Sequence, residues 1–318
     1  MRTLPGHHHR PSGRTGIGIL LMAGTVILWG VLPFFLKALL AQMGAMTISW
    51  YRFLIAAGLL YLFIARRRGP GFPLEVLKGP PLLLAGAALG LAGNYMTYVL
   101  ALKYVGAAVA IVVIQLGPFF MLLGSLVVFR EQFSVRQWIG AAVLFGGMAL
   151  FFNRDLPAVF LPGTATGTGV AILVASALFW SVYSLAQKQL LSRFPSQEIM
   201  WFIYCAGALL LLPLASPGEI FRLNPTGLLL LGFCAANTLV AYGFFAEALE
   251  HLEASRISVA VTLSPLVTLA VAWAAAKTIP GLLPPEPLSP SSLLGALMVV
   301  GGSILAAAGG TRSPDFRR

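Results

Sequence analysis

The chain has 318 residues, of which 58% are hydrophobic and only 10% charged, and its mean hydropathy is +0.88. Soluble domains carry roughly 25% charged residues and disordered chains have low hydrophobicity, so both classes are excluded and an integral membrane protein remains. The net charge of +11 does not indicate a nucleic-acid partner, because the basic residues lie at the ends of apolar segments rather than in one basic and aromatic patch.

Apolar runs of about 20 residues, the length a helix needs to cross a bilayer, recur along the whole chain. They are too long and alternate too little to be membrane strands. The sequence therefore predicts an all-α integral membrane protein with ten transmembrane helices. The ten predicted spans cover residues 17–40, 46–65, 80–104, 106–129, 137–153, 168–190, 196–214, 227–250, 254–276 and 291–309.

The ends of the spans indicate the orientation of the chain. Residues 1–16 form a basic tail that we expect to be disordered, and its histidines, His7–His9, have no further metal ligands nearby in sequence. The first apolar run is too long for the core of a signal peptide, so it is predicted to stay as the first helix. With a cytoplasmic N-terminus, 15 of the 21 Lys and Arg residues fall on the cytoplasmic side, which predicts that both termini are cytoplasmic.

The two halves of the chain resemble each other in residue order. The matching pairs, at spacings of 151, 147 and 155 residues in turn, include Trp29 with Trp180, Trp50 with Trp201, Tyr95 with Tyr242, Pro118 with Pro265, Gly140 with Gly295 and Gly147 with Gly302. The last change of spacing implies an eight-residue insertion in the stretch Ile279–Pro287, before Glu286. We predict a first five-helix repeat at 17–153, a linker at 154–167, a second repeat at 168–309 and a C-terminal tail at 310–318.

Five helices per repeat is an odd number, so the second repeat would enter the membrane from the opposite side. Inverted repeats of this kind are typical of secondary transporters, which place the substrate at the repeat interface near the middle of the membrane. A duplicated channel or a structural scaffold is the alternative. An intramembrane enzyme acting on lipid would need an embedded acid and base cluster, which the sequence lacks.

Polar side chains deep inside spans are costly in lipid and are candidates for substrate binding. Several are aromatic rings with a polar tip, which suit an organic substrate, including a cationic one. The predicted substrate-binding residues are Trp29, Asn94, Tyr95, Tyr98, Gln115, Trp180, Tyr183, Tyr242 and Thr262.

Pro118 and Pro265 fall in the middle of the fourth and ninth spans, where each removes one backbone donor. Such helix interruptions are tolerated in lipid only where the backbone is buried in protein or lines water. A matching pair in the two repeats indicates either a binding site or two packing kinks.

Charged residues within the spans are few. For Arg52, two turns into the second span, a structural ion pair or carbonyl contact is expected ahead of direct substrate binding. Glu247, near the inner end of the eighth span, corresponds to the uncharged Leu100 in the repeat alignment. It is the candidate for proton coupling or cation attraction. Ser134 and Gln137 fit a capping box at the start of the fifth span, and Ser289-Pro290 fits the start of the tenth.

Motifs of the common hydrolases and ATPases are missing from the sequence. We find no HExxH, no phosphate-binding P-loop and no Gly-x-Ser-x-Gly, and the two cysteines, Cys205 and Cys234, do not form a CxxC pair. The chain is therefore expected to be no enzyme and to need no cofactor or metal. Its expected partners are a small-molecule substrate and the lipid bilayer.

Several of these residues together resemble a known family. Trp29 in the first span, Arg52 in the second, Pro118 in the fourth and the signature Glu131-Gln-Phe-Ser134 followed by Gly140 and Gly146-Gly147 are similar to the EamA family of the drug/metabolite transporter superfamily. The resemblance covers residues 17–309 and implies alternating access around a central cavity. It further implies that the substrate is a small organic metabolite such as an amino acid, that the direction is export, and that the protein lies in the inner membrane of a bacterium or archaeon.

Overall fold

The computed structural model describes residues 14–70, 73–129, 134–152, 163–252, 260–278 and 289–308. Residues 1–13 of the predicted N-terminal tail, the C-terminal tail 310–318, the linker residues 154–162, Glu131, Glu286 and the Ile279–Pro287 insertion lie outside the described residues. The predicted tail 1–16 is two residues too long, because the first helix begins at Thr15.

Helices make up all the regular structure in these ranges, which contain no strand. In chain order they are α1 (Thr15–Leu39), α2 (Ala45–Arg68), the single turn α3 (Pro73–Val76), α4 (Pro81–Ala101), α5 (Ala107–Val113), α6 (Leu116–Phe129), α7 (Val135–Phe151), α8 (Ala165–Leu190), α9 (Ser196–Leu211), α10 (Pro225–His251), α11 (Ser264–Thr278) and α12 (Pro290–Ala308). Two 3-10 turns, Leu212–Leu214 and Pro217–Arg222, connect α9 to α10.

Six described helices are long and apolar enough to cross a bilayer: α1, α2, α4, α8, α9 with the 3-10 turn that follows it, and α10. Four shorter apolar segments, at Ala107–Met121, Val135–Phe151, Ser264–Ala274 and Pro290–Ala306, accompany them. The outer surface matches this character, since large side chains such as Leu82 and Leu229 are 84% and 76% exposed, as lipid-facing residues would be. The protein is therefore an all-helical, multi-pass membrane protein.

The predicted helix starts are confirmed at two positions. The side-chain oxygen of Ser134 accepts a hydrogen bond from the backbone N–H of Gln137, and the Gln137 side chain accepts one from the backbone N–H of Ser134 at 2.7 Å. At the start of α12 the Ser289 hydroxyl accepts from the backbone N–H of Ser292 at 3.1 Å. Both caps satisfy donors that a helix start would leave without partners.

Contacts between connections tie the helices together at two opposite ends of the bundle. At one end, Arg68 at the end of α2 forms an ion pair with Glu198 in the first turn of α9. At the other end, the Glu219 carboxylate accepts from the backbone N–H of Gly44 at 2.7 Å, and Lys37 Nζ donates to the carbonyl of Val105 at 3.0 Å. The Arg68–Glu198 and Gly44–Glu219 contacts therefore join the two halves of the chain, and the Lys37–Val105 contact lies within the first half.

Equivalent helices of the two halves, α7 and α12, pack against each other through glycine. A Cβ atom at Gly140 would lie 2.7 Å from the carbonyl oxygen of Gly302, and one at Gly147 would lie 2.8 Å from that of Gly295. These contacts pair an early residue of α7 with a late residue of α12 and the reverse, so the two helices run antiparallel. Small residues let the backbones approach this closely.

A second pair of contacts repeats across the two halves. The Ser176 hydroxyl of α8 donates to the carbonyl of Asn94 in α4 at 3.1 Å, and the Thr25 hydroxyl of α1 donates to the carbonyl of Ala241 in α10 at 3.3 Å. Thr25 corresponds to Ser176 at the spacing of 151 residues, and Asn94 to Ala241 at the spacing of 147. The packing of α1 on α10 therefore reproduces that of α8 on α4.

Candidate functional site

A cavity lies between the two halves of the chain, and side chains from both form its wall. The cavity has a volume of about 100 Å³, which is enough for several water molecules. The lining residues are Trp29, Leu32, Arg52, Asn94, Tyr95, Tyr98, Ile111, Ile114, Gln115, Pro118, Trp180, Tyr242, Val261 and Ser264.

Two interrupted helices contribute to the wall. The predicted fourth span is divided between α5 and α6 at Ile114 and Gln115, and a turn at Thr262 and Leu263 precedes α11. Each interruption lies just before a proline, Pro118 or Pro265, which lacks the N–H that would bond the carbonyl four residues earlier.

Local groups satisfy the two carbonyls that the prolines leave without a helical partner. The carbonyl of Ile114 accepts from the backbone N–H of Gly117 at 2.8 Å, and the carbonyl of Val261 accepts from the Ser264 hydroxyl at 2.8 Å. Both carbonyls belong to residues that line the cavity. The broken segments therefore face an interior space, which is where a membrane protein tolerates irregular backbone.

Aromatic rings form a continuous cluster along the cavity. Trp29 packs on Tyr242 with ring centroids 5.1 Å apart, and Tyr242 lies 5.8 Å from Tyr95. The indole of Trp180 lies against the backbone of the broken fourth span, because a Cβ at Gly117 would be 3.0 Å from its ring. These rings present flat apolar surface of the kind that binds an organic substrate.

Some polar atoms in the wall have no hydrogen-bond partner among the described residues: they include Nε1 of Trp29 and Oε1 of Gln115. The amide nitrogen of Asn94, in contrast, donates to both the carbonyl and the hydroxyl of Ser176, at 3.0 and 2.9 Å. Asn94 therefore joins α4 to α8, whereas Nε1 of Trp29 and Oε1 of Gln115 are buried polar atoms without a described partner in two lining residues.

Arg52 also lines the cavity, and its surroundings differ from those expected from the sequence. The residue is only 2% exposed, its Nε donates to the Thr238 hydroxyl at 2.9 Å, and its guanidinium carbon lies 4.3 Å above the ring of Tyr95. Among the described residues no carboxylate lies within 4.0 Å of it, and its hydrogen bond goes to a hydroxyl rather than to a carbonyl.

Four predicted site residues do not line the cavity: Pro265, Tyr183, Thr262 and Glu247. Tyr183 is fully buried behind Tyr242, with ring centroids 6.2 Å apart, and its hydroxyl donates to the sulfur of Met200 at 3.4 Å. Thr262 is fully buried in the turn that precedes α11. The Glu247 side chain is 42% exposed and lies 3.7 Å from His251, one turn further along α10.

The other seven predicted binding residues and Pro118 are brought together by the fold. Sequence reasoning missed the aliphatic members of the wall, Leu32, Ile111, Ile114 and Val261, and the hydroxyl of Ser264. Ile114 and Val261 carried a usable signal, since each stands four residues before a mid-span proline. Among the described residues, no group of three His, Cys, Asp or Glu side chains could hold a metal ion.

Comparison with known proteins places this architecture in a family. The model of the EamA-like transporter family matches the chain twice, at residues 16–153 and 167–308. The inner membrane transporter YhbE of Escherichia coli strain K12, which is described as uncharacterized, is 38% identical over 93% of this chain and 92% of its own length. An uncharacterized transporter of Haemophilus influenzae is 36% identical over 92% of this chain and 95% of its own length.

Two more distant matches also cover most of the chain. A protein of Salmonella typhimurium named a probable amino-acid metabolite efflux pump is 23% identical over 87% of this chain and 90% of its own length. A solved crystal structure that is 20% identical has a TM-score of 0.63 and covers 92% of this chain and 97% of its own. The two family matches cover both halves of the chain, so this multi-pass membrane protein belongs to the EamA-like transporter family.

Proposed function

We propose that the protein is a secondary transporter that exports a small organic metabolite, such as an amino acid, by alternating access. The observation that carries this proposal is the cavity between the two halves, with broken helices and aromatic rings in its wall. Inverted-repeat transporters bind substrate at such a position and move one repeat against the other around it. The efflux pump of Salmonella typhimurium supports the direction and the substrate class.

The proposed topology has ten spans in two oppositely oriented five-helix repeats, with both termini cytoplasmic. The antiparallel contact between α7 and α12 supports opposite orientation, because these helices correspond in the two repeats. The described basic clusters also support it: Arg66, Arg67, Arg68 and Lys78 lie at the end of the bundle that holds the Arg68–Glu198 ion pair. Cytoplasmic ends of spans carry such an excess of Lys and Arg.

Counterflow in proteoliposomes tests the proposal. Vesicles loaded with an unlabelled amino acid mixture should accumulate external labelled amino acid above the equilibrium level, and the rate should saturate. An alternating-access transporter exchanges substrate in this way, whereas a passive pore conducts in proportion to the gradient without saturation or accumulation. Flux that rises in proportion to the gradient, without saturation or accumulation, would contradict the proposal and indicate a passive channel.

Glu247 stays the predicted coupling residue, and a single substitution of its carboxylate tests that role. If protons drive transport through its carboxylate, Glu247→Gln removes the group that carries them and should flatten the dependence of the counterflow rate on pH. Its neighbour His251, 3.7 Å away, is retained in this variant. Glu75→Gln, on the exposed turn α3, is the control, and an unchanged pH profile in Glu247→Gln would remove the coupling role.

A further inference from the structure

We propose that Arg52 is the anion-binding residue of the cavity and that the substrate is an organic molecule carrying a carboxylate. This inference rests on the proposed transport function and names the chemical class that the same site takes. It begins from a buried cation that the described protein does not neutralise.

The fold holds Arg52 by one side of its guanidinium group. Nε donates to Thr238, whose own hydroxyl donates to the carbonyl of Cys234 at 2.9 Å, and the face of the group lies on the ring of Tyr95. The two terminal nitrogens make no hydrogen bond to any other described residue, and the residue lines the cavity. A guanidinium fixed in this way offers two parallel N–H donors, the arrangement that binds both oxygens of a carboxylate.

The surroundings of Arg52 differ from those usual for a buried structural charge. Buried charges in membrane proteins pair with one another or with backbone carbonyls, because an unpaired ion in a medium of low dielectric constant is costly. Arg52 has a hydroxyl and an aromatic face instead. The corresponding position of the second repeat, at the spacing of 151 residues, is the apolar and fully buried Ile203, so the repeat architecture forms at this position without a charge.

The rest of the wall suits the remainder of such a molecule. Aliphatic and aromatic side chains dominate it, which favours an apolar body. Two of the lining residues, Trp29 and Gln115, also hold a buried donor (Nε1) and a buried acceptor (Oε1) without a partner among the described residues. None of the described lining residues is a carboxylate, so the wall supplies a full charge for an anionic group and only neutral groups for a cationic one.

Two matched sets of probes separate the contributions of the carboxylate and the amine. Each set has a zwitterion, the acid without its amine and the amine without its carboxylate: L-valine, 3-methylbutanoate and 2-methylpropylamine, and L-phenylalanine, 3-phenylpropionate and 2-phenylethylamine. Binding to the purified full-length protein is measured by thermal stabilisation in chloride-free buffer. We expect at least one zwitterion or acid to bind and neither amine to bind.

Variants of Arg52 then test the residue itself. Arg52→Gln should weaken carboxylate binding about 10- to 100-fold, the usual effect of losing hydrogen bonds to a charged group. Arg52→Met, an apolar replacement of similar length that a buried site accepts, gives the same test if the glutamine variant does not fold. Thr238→Val keeps the charge and removes the Nε partner, so it should weaken binding less, and Arg222→Gln on the exposed 3-10 turn is the control for net charge.

The outcomes separate this inference from the transport proposal. Binding of an amine as tight as that of its acid, full carboxylate affinity in Arg52→Met, or binding of no probe would each overturn the assignment. Counterflow of an amino acid that survives Arg52→Met would leave transport standing and sink the role of Arg52. Arg52-dependent binding of a carboxylate without counterflow would support the role of Arg52 and contradict the transport proposal.

Discussion

Replacing Gly147 with alanine is expected to lower the free energy of unfolding by about 1–3 kcal/mol, the usual cost of overpacking. A Cβ atom there would lie 2.7 Å from the backbone nitrogen of Val299 and 2.8 Å from the carbonyl oxygen of Gly295. Both are main-chain atoms, so α7 and α12 would have to move apart. The measurement is the thermal unfolding midpoint of the detergent-purified protein.

The adjacent glycine provides a matched control. A Cβ at Gly146 would meet only the end of the Met298 side chain, at 3.7 Å, which is ordinary contact. Gly146→Ala should therefore leave stability unchanged or raise it by up to about 1 kcal/mol through helix propensity. Equal behaviour of the two variants would contradict the close antiparallel approach of α7 and α12.

Replacing Trp180 with alanine is expected to lower the rate of counterflow at subsaturating substrate about 30-fold or more, the effect of losing an aromatic hot spot of about 2 kcal/mol. The indole is one of the largest apolar surfaces in the cavity and comes from the second half of the chain. It also packs against Gly117 in the broken fourth span, so its loss removes both a binding surface and a contact between the halves.

Trp138→Ala separates this effect from a general loss of packing. Trp138 lies on α7, away from the cavity, and is 59% exposed. The control should retain counterflow, and Trp180→Ala should fold with a similar yield. Full activity of Trp180→Ala would remove this ring from the substrate site.

Much of the fold could be predicted because lipid makes the sequence signal strong. A helix in a bilayer must satisfy its own backbone, so the apolar runs gave the positions of the helices, and the caps at Ser134 and Ser289 fixed two starts. The break inside the fourth span could not be located by length. It depends on Pro118 and on the Gly117 N–H that takes over the carbonyl of Ile114.

The candidate site could be predicted where polarity and repetition coincide. Trp29, Tyr95, Trp180 and Tyr242 stand out because they are polar-tipped rings at matching places in both halves. Tyr183 is also an aromatic ring with a polar tip, but its hydroxyl donates to the sulfur of Met200. The direction of this side chain depends on how α8 is rotated against its neighbours, which the sequence does not indicate. The partners of Arg52 lie on α10 and α4, 186 and 43 residues away in sequence, so spacing along α2 did not indicate them.

The most direct test of the account is whether the two ends of the bundle open in turn. Spin labels on cysteines at Leu77 and Arg193 report one end and labels at Lys103 and Thr226 the other, in a background with Cys205 and Cys234 replaced by alanine; these label positions are exposed. Distances between the two labels of each pair are measured by electron–electron double resonance, with and without one of the valine or phenylalanine probes that binds. The account predicts that one pair moves apart while the other moves together. Distances that change in the same direction at both ends, or at neither, would contradict alternating access around the central cavity.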